Sequence, residues 1–140
     1  MAAINYFSQK PRFKLAQPRK TTSWIKNTIK HEGKSLLGLT YIFCTDEYLR
    51  QINIEFLDHK TYTDIITFNY NPSEKEIEGE IYISVDRVRE NAKTFKTDFP
   101  TELNRVMIHG VLHLLGYKDK TKAEKAAMRE KEDACLSLWK

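Results

Sequence analysis

Cysteine is scarce in this chain, long apolar runs are missing, and acidic residues are nearly absent from its first quarter. The two cysteines, Cys44 and Cys135, have neither CxxC spacing nor the density of a disulfide scaffold, so they read as buried thiols rather than as a stapled framework or nucleophiles. No stretch approaches the ~20 consecutive apolar residues needed to cross a bilayer. The opening MAAINYFSQK offers neither an apolar core nor a small-residue cleavage site for export. A soluble, cytoplasmic protein without membrane contact is the expectation. Internal repeats, low-complexity tracts and Pro/Gly/Ser-rich linkers are also missing, and 140 residues is close to the commonest single-domain size. Residues 1–140 therefore read as one domain, expected as a monomer.

Charge is present but uneven. The net charge is +4 with a pI near 9.0. Residues 1–34 alone hold eight Lys or Arg against one acid, Glu32, a net +7. This segment reads either as a solvated face or as a surface that tracks phosphates.

The order of segments predicts an α+β fold, a small mixed β-sheet of about four strands flanked by helices. Ile4 to Leu15 reads as a strand region broken by Pro11, and Thr22 to His31 as a short helix. Ser35 to Thr45 is a strand, followed by a helix that Asp46 is placed to cap. Asp64 to Tyr70 and Glu80 to Val85 are core strands joined by a short acidic turn, which predicts an antiparallel hairpin. Beyond Asp86 the chain reads helical, with breaks at Asp98 to Pro100 and at Gly116. Thr121 and Glu124 form a capping box for the last helix, whose apolar stripe is Met128, Cys135 and Leu138.

Chemistry concentrates in ELNRVMIHGVLHLLGYKDK. His109 and His113, at i and i+4, project from one helical face, so two imidazoles can reach one ion. Gly116 suits the positive φ that ends a helix, and the turn it makes can return Asp119 to the same ion. Metal on a helix and the turn after it is thus one reading, with His109, His113 and Asp119 as ligands in metzincin-like spacing. An ordinary helix end and turn is the other. Where HExxH peptidases carry their general base, this chain has Gly110, which removes the proton acceptor of that mechanism. A glycine in mid-helix costs ~1 kcal/mol relative to alanine, and close approach of a substrate or another part of the chain would account for it.

The run His109-Gly110-Val111-Leu112-His113-Leu114-Leu115-Gly116-Tyr117 resembles the HGxLHLxGYDH signature of the YbeY endoribonucleases. Asn53-Ile54-Glu55-Phe56 with Thr63-Asp64-Ile65-Ile66-Thr67-Phe68, and Gly79-Glu80-Ile81-Tyr82-Ile83-Ser84, are similar to two further blocks of that family in order and spacing. The resemblance implies a single-strand-specific metallo-endoribonuclease acting late in ribosome maturation, at the 3′ end of 16S ribosomal RNA. It implies one divalent metal, usually zinc, and as partners single-stranded RNA, ribosomal RNA and the small ribosomal subunit. Two positions depart from the family pattern. Asp119 stands where the family's third ligand is histidine, and Leu57 where it has an arginine. Lys60, Lys118 and Lys120 are the candidates to replace that cation, and Tyr117 is the candidate for stacking on an unpaired base.

A metal at this site would acidify a water or polarise a phosphoryl oxygen. The general base is unassigned. Asp64 and Lys118 are the catalytic candidates, although Asp64 equally fits the role of holding the turn before a core strand. His59 reads as a solvent-exposed loop residue or a contact to RNA. Among the strand aromatics Phe68 is expected inside, whereas Tyr62 and Tyr70 are weaker stacking candidates. The rival reading is a non-catalytic RNA-binding ribosome-assembly factor whose metal only pins the last helices together.

Overall fold

The computed structural model describes residues 3–57, 63–71 and 75–139. Four strands, β1 (Ala3–Ser8), β2 (Ser35–Cys44), β3 (Ile65–Asn69) and β4 (Glu76–Ser84), alternate with α1 (Pro18–His31) and α2 (Asp46–Leu57). Three helices close the chain: α3 (Val85–Thr94), α4 (Phe99–Leu114) and α5 (Lys122–Ser137). The sheet order is β1-β2-β4-β3, with β1, β2 and β4 parallel and β3 antiparallel to β4. The α+β sheet flanked by helices and the β3–β4 hairpin are as the sequence predicts.

Alternation along the strands sorts side chains between two layers. Leu39, Tyr41 and Phe43 of β2 and Ile77, Ile81 and Ile83 of β4 enter the main core, with α1, α3, α4 and α5 packed over it. Cys44, Ile66, Phe68 and Tyr82 face the opposite way, toward Leu49 and Ile52 of α2. Both cysteines are free and buried.

Several boundaries move for identifiable reasons. β1 stops at Ser8 and the chain turns through Arg12 at φ +64°, after which Leu15 enters the core and Phe13 packs against its edge. α1 begins at Pro18, four residues before the expected start, because proline's fixed φ suits a helix's first turn. β4 begins at Glu76 rather than Glu80, since its first residues, before the hairpin register starts at Gly79, pair with Ser35 and Leu36 of β2. Thr45, not Asp46, caps α2: its Oγ1 accepts from the Tyr48 amide at 3.1 Å. Asp46 instead accepts from the Ser84 hydroxyl at 3.0 Å and the Arg87 guanidinium at 2.8 Å. The Thr121–Glu124 capping box is present, but Leu138 lies just past α5 and is 66% exposed, leaving Met128 and Cys135 as the buried stripe. Among the described residues no helix is long and apolar enough to cross a membrane.

Candidate metal centre

α4 is anchored before it presents anything. Asp98 caps its N-terminus by accepting from the Thr101 amide at 2.8 Å. Val106, Met107, Ile108, Val111 and Leu112 are buried against the sheet, and the Tyr41 hydroxyl donates to the Met107 carbonyl at 2.9 Å. Gly110 belongs to this packing. A Cβ there would stand 2.8 Å from Cδ1 of Ile81 and 3.1 Å from Cδ1 of Ile65, so close contact with the sheet's own side chains, not with substrate, accounts for the glycine.

His109 and His113 emerge one turn apart on the rim of that face, ring centroids 4.7 Å from each other. The helix then ends in a Schellman motif: the Gly116 amide donates to the His113 carbonyl and the Tyr117 amide to the Leu112 carbonyl, both at 3.0 Å. Gly116 takes φ +106° to make this turn, and the reversed chain delivers Asp119. Asp119 Oδ2 lies 3.3 Å from Nε2 of His109 and 3.3 Å from Nε2 of His113, and the three donor atoms fall within 4.8 Å of one another. A tetrahedral ion with bonds of about 2.0–2.1 Å requires donor separations of roughly 3.3–3.4 Å. The donor set therefore suits a divalent ion in chemistry, and both Asp119 separations match tetrahedral spacing.

Glu132 of α5, 5% exposed, holds the first ligand in place. Its Oε2 is 2.5 Å from Nδ1 of His109, which leaves Nε2 for the ion. Its Oε1 accepts from Arg105 at 3.0 Å, and Arg105 also donates to Asp133 at 2.6 Å. Burial disfavours charge on His109, but Glu132, then Asp119 and Asp64, outweigh it and raise the imidazole above its usual pKa. Burial dominates at Asp64 and pushes its carboxyl up, against the downward pull of His109.

Two cavities meet at His109 and Asp119. The larger, about 890 Å³, is lined by Asn53, Leu57, Thr67 and Lys120, and the smaller, about 330 Å³, by residues of α3, α4 and α5. His109, Asp119 and Asp64 belong to both walls. The structure thus brings Asp64 and Lys120 to the three ligands. Lys118 is exposed and absent from both walls. Tyr117 turns away, its hydroxyl donating to Glu32 at 2.7 Å. Phe68 is half-buried on the α2 side, where it contacts Phe56, Tyr70 and Tyr82. His59, Lys60 and Tyr62 lie outside the described residues. The basic N-terminal quarter contributes to neither cavity; Lys10 pairs with Asp86 at 2.8 Å and Lys20 sits 4.4 Å from the centre of the Trp139 ring.

The family model described as Endoribonuclease YbeY matches residues 4–140. The chain belongs to the YbeY family. It is 52% identical over 131 residues to an Endoribonuclease YbeY of Amoebophilus asiaticus, covering 94% of this chain and 89% of that one. A YbeY of Cytophaga hutchinsonii is 50% identical over 137 residues, covering 98% and 96% of the two chains. The solution structure of a Thermotoga maritima protein superposes with a TM-score of 0.66 at 26% identity, covering 96% of this chain and 87% of that one. Leu57 lines the larger cavity. Among the described residues, the Lys or Arg on that wall is Lys120.

Proposed function

We propose that this chain is a metal-dependent endoribonuclease that cuts single-stranded RNA during late ribosome maturation, at the 3′ end of 16S ribosomal RNA. One divalent ion, zinc, is held by His109, His113 and Asp119, and residues 1–140 act as a single catalytic unit. The observation that carries this reading is the convergence of three donors within 4.8 Å of one another, with Asp119 3.3 Å from each imidazole, beside an open cleft in a chain of the YbeY family. Three protein ligands, rather than four, is the composition of catalytic zinc sites. When bound, the ion supplies Lewis acidity to a water or a phosphoryl oxygen.

The protein's own groups do the rest. Glu132 fixes the tautomer and orientation of His109 through Nδ1. Lys120, on the cleft wall, neutralises phosphate as a point charge. Asp64, half-buried beside His109 with a raised pKa, accepts the attacking water's proton at a carboxylate oxygen. Its main-chain carbonyl, meanwhile, accepts from the Ser84 amide at 3.0 Å and so holds the start of β3.

One observation favours the non-catalytic alternative: through Glu132 the site ties α4 to α5, as a structural metal would. Cleavage decides between them. Zinc-loaded protein is incubated with single-stranded RNA ending in the small-subunit 3′ sequence, beside chelator-treated protein and His113→Ala. Cutting lost in both controls is the expected result. Equal products from wild type and a folded His113→Ala variant would refute the enzyme reading and leave the assembly factor.

A further inference from the structure

The smaller cavity shares Asp64, His109 and Asp119 with the site above, and three of its other lining residues carry groups without a partner among the described residues. Phe95, just past the end of α3, is 56% exposed and forms no ring pair among the described residues. Arg129 on α5 is exposed and makes no ion pair among them, whereas Arg105 is committed to Glu132 and Asp133. Glu102, in the first turn of α4, is only 5% exposed, and among the described residues its carboxylate accepts no hydrogen bond. Burial raises its carboxyl above the ordinary value, with Asp64 and Glu132 adding to the rise and Arg105 and Arg129 opposing it, and it forms an ion pair with neither arginine. A largely buried side chain whose carboxylate opens onto a cavity without a protein donor is placed to accept from an incoming one.

These groups match the parts of one nucleotide. An exposed aromatic ring stacks a base whatever its identity, a guanidinium meets phosphate, and a carboxylate accepts from an exocyclic amino group. A volume of about 330 Å³ lies within the range of small-molecule sites, roughly 300–1,000 Å³. His109 and Asp119 form the inner wall here and in the larger cavity. A strand that passes from one cavity to the other therefore crosses the metal ligands.

We infer that the smaller cavity is the subsite for the nucleotide adjoining the cut phosphodiester, with Phe95 stacking the base, Arg129 contacting its phosphate and Glu102 accepting from the base's amino group. This rests on the endoribonuclease reading. Cytosine, adenine and guanine carry such an amino group. Uracil has no amino group and offers only N3–H, flanked by two carbonyl oxygens that repel a carboxylate, so the subsite disfavours uracil.

The test uses full-length zinc-loaded protein and single-stranded RNA oligonucleotides randomised on both sides of the cut, with the products sequenced. Wild type is expected to disfavour uracil about tenfold at one flanking position, and Glu102→Gln to abolish that discrimination, because an amide both donates and accepts. Phe95→Ala is expected to weaken RNA binding to the chelator-treated protein about tenfold by fluorescence anisotropy, with zinc content unchanged. Arg129→Ala is expected to raise KM more than it lowers kcat. Phe95 and Arg129 are exposed, so these two variants keep the test decisive should the buried Glu102 substitution unfold the protein. Cleavage by wild type without base preference at either flank would overturn the subsite and leave the nuclease reading standing, as would unaltered RNA binding by Phe95→Ala. No cleavage of any RNA by zinc-loaded wild type would overturn both.

Discussion

Replacing Glu132 with glutamine separates what holds the metal from what ligates it. The carboxylate serves two donors, Nδ1 of His109 at 2.5 Å and Arg105 at 3.0 Å, from a position 5% exposed. Glutamine keeps the shape but has one acceptor oxygen. Its NH2 must face either an imidazole N–H or a guanidinium, donor against donor. If His109 loses its acceptor, the ring's tautomer and orientation are no longer fixed, and loss of such a supporting partner typically costs 10–100-fold in metal affinity, about 1.4–2.7 kcal/mol. If Arg105 loses it instead, the guanidinium still reaches Asp133 at 2.6 Å, so the stability cost falls at the low end of the ~1–3 kcal/mol for an unsatisfied buried group. Glu132→Ala strands both donors and costs more, toward ~3–5 kcal/mol. Zinc affinity is measured by competition with a chromophoric chelator, and stability by urea unfolding with chelator present. A folded Glu132→Gln protein binding zinc within about twofold of wild type, against the expected 10–100-fold loss, would refute the orienting role.

Other substitutions test the scaffold. Gly110→Ala gains ~1 kcal/mol of helix propensity, but its Cβ meets Ile81 Cδ1 at 2.8 Å in a fully buried position, and overpacking of that kind costs ~1–3 kcal/mol. A net loss of stability is expected, rescued in the Gly110→Ala/Ile81→Val double variant, which deletes the clashing methyl; absence of rescue in thermal melts would locate the strain elsewhere. Tyr41→Phe removes the hydroxyl that donates to Met107 and should cost ~1 kcal/mol in urea unfolding, with zinc binding unchanged. Glu32 accepts from Lys131 and Tyr117, each at 2.7 Å, and although burial opposes it, these partners hold its carboxyl below the ordinary value of 4.5. Its folded pKa being depressed, its contribution is present above pH 4.5 and is lost as pH falls through the folded value. In Tm measured against pH, wild type should lose its advantage over Glu32→Gln across that acid range, and parallel curves would contradict the pairing.

The parts of the site that were legible in the sequence are those written locally. His109 and His113 share a face because helical spacing puts them there, and Asp119 returns because Gly116 alone suits φ +106° in the Schellman turn. Glu132 was not legible. Within REKED it is one of several charged residues on an amphipathic helix, and only the packing of α5 on α4 brings it to His109. Tyr117 illustrates the converse: adjacency to the ligands placed it near substrate, but its hydroxyl finds Glu32 of the distant α1 C-terminus. The hairpin was readable from a short connection. The parallel pairing of β1, β2 and β4 was not, because register between strands some forty residues apart is decided by the core they share and not by any turn.

The carboxylate shared by His109 and Arg105 makes ion binding and the seating of α5 reciprocal quantities. An ion bound at one hundred times its dissociation constant adds about 2.7 kcal/mol to the form that binds it, and that form is the one with Glu132 in place. Amides of α5 should therefore exchange with solvent more slowly once zinc is loaded, although no ligand comes from that helix. Conversely, a partner that tugged on α5 from the solvent side would loosen the ion without touching it, so the terminal helix is a handle by which metal occupancy can be set from a distance.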